Sequence, residues 1–148
     1  MDRGADQAPE SWVMLLLDSE ALSALARGPA QRRDRVRALI AQMRERNLAI
    51  GTVAAVLAEV VRGRRADAEV FAGLRRERVL VYPIDSQVAV RAGQLLGAVR
   101  RGSELAIDAF VVAKADLLGG ALIATVDVQD LRRLAAHAHA VRVVSIQP

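Results

Sequence analysis

Four acidic residues stand where apolar segments end or should run on unbroken. Asp18 closes Trp12-Val13-Met14-Leu15-Leu16-Leu17, and Asp127 follows Ala121-Leu122-Ile123-Ala124-Thr125-Val126. Glu59 lies inside the apolar stretch 52–61, and Asp108 interrupts the stretch 105–113. A carboxylate held half out of water is costly unless it is paired, hydrogen-bonded or bound to a cation. Four such residues in one small chain point to a shared oxygen-donor site for a hard divalent cation.

Each acid also has an ordinary explanation. Asp18 can cap the helix that begins at Ser19. Asp127, with Asp130 three residues on, can form the acidic start of the last helix. Glu59 can pair along its helix with Arg62, and Asp108 can sit at a helix N-terminus favoured by the dipole. Asp108 resists this account best, because its helical neighbours Val111, Val112 and Ala115 place it on an apolar stripe. Glu104, one turn earlier on the same side, would repel it unless a cation intervened. His137 and His139 have no zinc-like spacing and read as surface residues. The hydroxyls of Ser19, Ser23, Thr52 and Thr125 have no His base in view. No Gly-rich phosphate loop ending in Lys-Ser/Thr is present.

The elements that must position these acids are short β-like runs alternating with helical stretches. Strands are predicted at 13–18, 48–52, 79–84, 121–125 and 141–146. Helices are predicted at 19–27, 30–47, 53–62, 66–76, 86–101, 105–118 and 128–138. Gly28-Pro29, Gly63, Gly102 and Gly119-Gly120 punctuate the helix ends. Strands separated by helices imply right-handed crossovers and a mainly parallel sheet of about five strands covered on both faces. Ligands of such sheets bind beyond the carboxyl ends of the strands, where Asp18 and Asp127 fall. The helix carrying Asp108 runs antiparallel to the strands, which is expected to start it at the far end of the sheet. Asp108 would then join the others only through an offset or tilt.

A chain of 148 residues fits one domain, and its 53% hydrophobic content implies a core of many small aliphatic contacts. Residues 1–11 are polar and read as a flexible extension, leaving 12–148 as the domain. There is no Cys, which excludes disulfides, thiolate metal sites and a thiol nucleophile and suits a reducing cytoplasm. No apolar run reaches the roughly 18 residues that span a bilayer. Net charge is +4, and Lys114 is the only Lys among 21 basic residues. Arginines cluster at 32/33/35/37, 62/64/65, 75/76/78, 100/101 and 132/133. They are either solvated helix faces or, near an acidic metal site, a surround for a polyanion such as nucleic acid.

Four segments together resemble a PIN domain, most closely the VapC-type toxins of bacterial toxin–antitoxin pairs. They are Leu15-Leu16-Leu17-Asp18-Ser19-Glu20-Ala21-Leu22, Val56-Leu57-Ala58-Glu59-Val60-Val61-Arg62-Gly63, Ile107-Asp108-Ala109-Phe110-Val111-Val112-Ala113-Lys114-Ala115 and Ala124-Thr125-Val126-Asp127-Val128-Gln129-Asp130-Leu131. They occur in the family's order, over residues 13–146. Asp18 matches the acid after the first strand, Glu59 the helix Glu, Asp108 the acid of the Asp-Ala motif and Asp127 that of the Thr-x-Asp motif. Thr125 matches the latter's hydroxyl, Ser19 the small hydroxyl residue after the first acid, and Asp130 an often acidic extra position. Val128-Gln129 departs from the family in standing where a more polar turn is usual. Asp116 lies outside the motif and reads as structural.

The resemblance implies a three-layer α/β/α sandwich and a cytoplasmic, Mg²⁺- or Mn²⁺-dependent endoribonuclease. It further implies a homodimer inhibited by a cognate antitoxin, with RNA as substrate; the short apolar runs imply no membrane partner. Asp18, Asp108 and Asp127 would ligate the metal, directly or through water. Glu59 would be a further ligand or the base that orients the attacking water. Two alternatives remain at this level. One is a non-catalytic PIN-like module that binds RNA or protein. The other is a phosphoryl-transfer protein with Asp18 as nucleophile, against which the lack of an adjacent acidic pair counts.

Overall fold

The computed structural model describes residues 12–148; the extension expected at residues 1–11 lies outside the described residues. The central strand is the most hydrophobic stretch of the chain. Strand β1 (Met14–Leu17) is buried along its whole length, as a parallel strand covered on both faces must be. Strands β2 (Ala49–Val53) and β4 (Ala121–Thr125) flank it, with β3 (Leu80–Tyr82) and β5 (Val141–Ser145) at the edges. The order β3-β2-β1-β4-β5 is parallel throughout.

Helices α1 (Ser19–Arg27), α2 (Ala30–Glu45), α3 (Ala54–Val60) and α4 (Asp67–Arg76) follow β1 and β2. α1 packs against α2, α3 and α4. Past β3 the chain crosses back through α5 (Ser86–Ala98), a 3₁₀ turn (Ser103–Leu105) and α6 (Ala106–Leu117), and α7 (Gln129–Ala135) joins β4 to β5. α6 packs against both α5 and α7. With right-handed crossovers, the reversal of direction after β3 puts α5–α7 on the opposite face from α1–α4. This is the expected three-layer α/β/α sandwich with a parallel five-stranded sheet. The core is aliphatic, with Leu15, Leu16, Leu17, Leu22, Leu95 and Ile123 among its largest fully buried side chains.

The expected helix ends run two or three residues too far in several places, since α2 stops at Glu45 and α5 at Ala98. Asn47 and Arg100 turn the chain with φ of 59° and 57°, a left-handed step that closes a helix and that the sequence marks only weakly. Among the described residues no helix is long and apolar enough to cross a membrane.

The strand order also fixes where a ligand can sit. The chain steps from β1 to β2 and β3 on one side, then returns to place β4 on β1's other side. The crevice beyond the carboxyl ends of β1 and β4 is therefore the switch point of the sheet, where flanking loops diverge and leave room. Asp18 follows β1, and Asp127 lies two residues past β4.

Candidate metal centre

Asp18, Ser19, Glu20, Glu59, Asp108, Asp127 and Asp130 line one cavity of about 250 Å³ at this switch point. All four acids singled out from the sequence face it, as do Ser19 and Asp130. Thr125 stands behind it. Asp108 does not start at the far end of the sheet, as its helix direction had implied. α6 runs down into β4, so a helix antiparallel to the strands begins at their carboxyl ends. The first turn of α6 delivers Asp108 to the cavity with no unusual tilt.

Asp18 is the most constrained member. It is 4% exposed. Its backbone N–H donates to the Ala124 carbonyl at 3.2 Å, fastening it to β4. One carboxylate oxygen, Oδ1, accepts from the Ala21 N–H at 2.8 Å and caps α1. The capping account is therefore correct, and it leaves Oδ2 for another partner. Burial pushes the Asp18 carboxyl up from 3.8 to about 7, partly countered by hydrogen bonds from Thr125 and Ala21 and reinforced by Glu20 and Asp108.

Asp108 is half-buried and raised from 3.8 to about 6, first by burial and then by the charges of Glu59, Asp130, Glu20 and Asp127. Its neighbours are other acids rather than bases, so the dipole of α6 alone does not account for its setting. Glu104 is not one of these neighbours: it accepts from Arg101 Nε at 3.0 Å and from the Gly102 N–H at 3.2 Å. Glu59 lies one residue from the end of α3 and is not paired with Arg62, whose Nη1 donates instead to the Ala58 carbonyl at 2.7 Å. A short hydrogen bond from Ser19 Oγ holds Glu59 Oε1. Asp127 Oδ1 accepts from the Gln129 N–H at 3.1 Å, and the Val128-Gln129 departure thus still serves to orient it.

Glu20 also lines the cavity, although nothing in its sequence setting singled it out. Its Oε1 accepts from Thr125 Oγ1 at 3.0 Å and from the Asp127 N–H at 3.1 Å, tying the start of α1 to the loop after β4. The Thr125 hydroxyl also lies 3.3 Å from the Asp127 carbonyl oxygen and against Asp18. With a single proton it serves one acceptor at a time among the Glu20 carboxylate, the Asp127 carbonyl and the Asp18 carboxylate, and Glu20 Oε1 is nearer than the Asp127 carbonyl. The signal for Glu20 was available in part: an acid two residues beyond the strand-end acid shares the same end of the sheet. Asp116, read as structural, is so, accepting from Arg91 Nε at 2.8 Å and the His139 N–H at 2.9 Å. His137 and His139 stand apart from the cavity.

The donor set is carboxylate and hydroxyl oxygen throughout, which suits Mg²⁺ or Mn²⁺ and not a thiolate or imidazole metal. Burial first, and neighbouring carboxylates second, raise Asp18 and Asp108, and a bound divalent cation would favour their ionised forms. Among the described residues no group of three or more His, Asp or Glu is already drawn together to hold an ion. Mg²⁺ keeps several waters and takes one or two carboxylates, the rest of its shell coming from substrate phosphate.

Comparison with known proteins bears on the family and the fold. Curated proteins gave no match. A chain in the crystal structure of VapBC2 from Rickettsia felis, bound to a DNA fragment from their promoter, superposes with a TM-score of 0.62 at 14% identity. The match covers 89% of this chain and 98% of that one, and at such low identity it speaks for the fold. The family model for the PIN domain matches residues 15–137, a span that holds every acid of the cavity. The chain belongs to the PIN domain family.

Proposed function

We propose that the protein is a Mg²⁺- or Mn²⁺-dependent endoribonuclease of the cytoplasm, acting as the toxin of a type II toxin–antitoxin pair. The observation that carries the nuclease reading is the convergence of Asp18, Glu59, Asp108 and Asp127 on one oxygen-lined cavity at the switch point of a PIN-domain sheet. The toxin assignment rests on the motif resemblance and is supported by the fold shared with a chain of VapBC2. A homodimer and a cognate antitoxin belong to the same reading.

Asp18, Asp108 and Asp127 would hold the metal, and Glu59 would be either a further ligand or the base. When bound, the cation supplies Lewis acidity toward the phosphodiester and stabilises charge on the departing oxygen. The chain's own groups do the positioning. Glu59, steadied by Ser19, is the exposed carboxylate at the rim and is placed to orient an attacking water and accept its proton. Asp18 is locked by its cap and cannot swing away. Glu20 and Thr125 fix the loop bearing Asp127, so that its carboxylate keeps its distance from Asp18. Hydrolysis then cleaves the phosphodiester without a covalent intermediate.

RNA cleavage should require added Mg²⁺ or Mn²⁺, stop in EDTA and return when the ion is restored. RNA binding with no cleavage in any of these conditions, from protein free of antitoxin, would establish the non-catalytic module instead. Thr125→Val, nearly the same in shape, removes the hydroxyl behind Asp18, Glu20 and Asp127. Its expected cost is about 10–100-fold in the Mn²⁺ concentration needed for half-maximal cleavage or in rate, the usual range for a group that supports metal ligands. A Mn²⁺ dependence and a rate that are both unchanged would remove Thr125 from the site.

A further inference from the structure

The arginines around the carboxylate cavity fall into two unlike sets. On one flank, Arg101 Nε pairs with Glu104 at 3.0 Å, and Arg101 and Arg133 reach Asp130 at 4.0 and 3.7 Å. Each of these two arginines has a carboxylate of the protein within 4.0 Å. On the other flank, Arg27, Arg32 and Arg62 line a groove of about 360 Å³ with Ser23, Gly28 and Pro29. Among the described residues none of these three forms an ion pair. Each is instead steadied by neutral oxygens. Arg27 Nη2 donates to the Val60 carbonyl at 3.0 Å, Arg32 Nη2 to Gln147 Oε1 at 3.2 Å, and Arg62 Nη1 to the Ala58 carbonyl at 2.7 Å and the Val61 carbonyl at 3.2 Å. Arg32 and Arg62 are oriented without being neutralised, while Arg27 lies near enough to the Asp67 carboxylate to help lower it.

The groove is continuous with the cavity, because Ser19, Glu20 and Glu59 line both. Arg62 also sits on a loop that one buried carboxylate holds in shape. Asp67, at the start of α4, accepts from the backbone N–H groups of Arg62 at 3.1 Å, Gly63 at 2.7 Å and Arg64 at 3.0 Å. The Arg62 N–H first, then the Arg64 and Gly63 N–H groups and the nearby Arg27 charge, hold the Asp67 carboxyl below its ordinary range against its burial. No aromatic side chain lines the groove, so nothing in it stacks on bases.

We infer that an RNA strand reaches the carboxylate cavity along this groove alone, its phosphates held by Arg27, Arg32 and Arg62, with Asp67 positioning the Arg62 loop. The inference rests on the nuclease reading for the identity of the strand. Forked guanidiniums suit phosphate oxygens, and a grip on the backbone without base stacking is indifferent to sequence. The opposite flank, with Arg101 and Arg133 already paired, adds little.

The test is binding of a short fluorescein-labelled single-stranded RNA in EDTA across a KCl series, followed by anisotropy. For a single strand, removing one arginine–phosphate pairing lowers the slope of log affinity against log salt by about 0.7. Arg32→Gln and Arg62→Gln should each show that decrease, while Arg101→Gln and Arg133→Gln keep the wild-type slope. Asp67→Asn gives an opposed sign: it makes the protein one charge more positive, which by bulk electrostatics tightens RNA binding, whereas loss of loop positioning weakens it. Weaker binding by folded Asp67→Asn, checked by circular dichroism, is the expected result. Equal slope changes for all four arginine variants, or none at Arg32 and Arg62, would overturn the one-sided track. So would a polyglutamate peptide that binds equally well with the same arginine dependence, which would make the groove a site for acidic peptides. Wild-type cleavage assayed in parallel separates the two readings. Cleavage without the slope pattern sinks the track and leaves the nuclease. The slope pattern without cleavage keeps the track and sinks the nuclease.

Discussion

Asp108→Asn should lower metal-dependent RNA cleavage on the order of 10²–10³-fold while making the metal-free protein more resistant to heat. The loss has the size of removing one preorganised electrostatic interaction from a reacting centre. The gain comes from the same residue seen from the side of folding. Asp108 is half-buried among Glu59, Asp130, Glu20 and Asp127, all of its own sign. Asn keeps the volume and removes the charge, so it relieves repulsion that the folded protein otherwise bears. A functional residue that is locally unfavourable for stability is the pattern expected where a site is held ready for a ligand. The two measurements are initial cleavage rates in Mn²⁺ and melting temperature in EDTA at about pH 8, above the raised carboxyl values. A variant that is both less active and less stable would point to Asp108 as a structural acid. Full activity in a folded variant would remove it from the reaction altogether.

The second large effect is on stability against pH in EDTA. Asp18 titrates at about 7 in the folded protein and near 3.8 when unfolded. Between those values the folded state holds a proton that the unfolded state has released. Stability therefore falls as pH rises from about 4 to 7 and levels off above. For one group moved that far the fall is on the order of 4 kcal/mol as an upper figure, since one pH unit corresponds to about 1.4 kcal/mol. Asp108, shifted in the same direction but more open to water, adds a smaller amount with the same sign. The metal-free protein should accordingly melt at a higher temperature at about pH 5 than at about pH 8. Mn²⁺ binds the ionised carboxylates, so its stabilisation should grow with pH and narrow or reverse that difference. Melting curves at the two pH values, with EDTA and with Mn²⁺, give the answer. A metal-free protein more stable at the higher pH would mean that Asp18 is ionised and well partnered when folded, and the electrostatic picture of the cavity would fail.

The four acids were visible in the sequence because each breaks a hydrophobic pattern, and such breaks have few inexpensive explanations. Glu20 and Asp67 broke nothing. Both stand in the first turn of a helix, where an acid is ordinary. What sets them apart is the partner across space: the Thr125 hydroxyl and Asp127 N–H for one, three loop amides for the other. The arginine clusters show the same limit. Arg62 and Arg133 look alike along the chain, yet one is free of ion pairs among the described residues and the other approaches Asp130.

The sequence by itself determined the layer architecture and the parallel sheet, because alternating strands and helices leave few crossovers that bury both faces. It also identified the acids at the ends of β1 and β4, since a strand's polarity fixes which end its last residue occupies. The tertiary structure alone decided the strand order, and with it the switch point between β1 and β4. It alone brought Glu59 from α3 to that point beside Asp108 and divided the arginines into paired and unpaired. These are relations between residues far apart in the chain, such as Glu20 and Thr125 at a separation of 105. Local propensity and periodicity act over a few turns of chain and carry no information about such pairs; packing of the two helical layers on the sheet sets them.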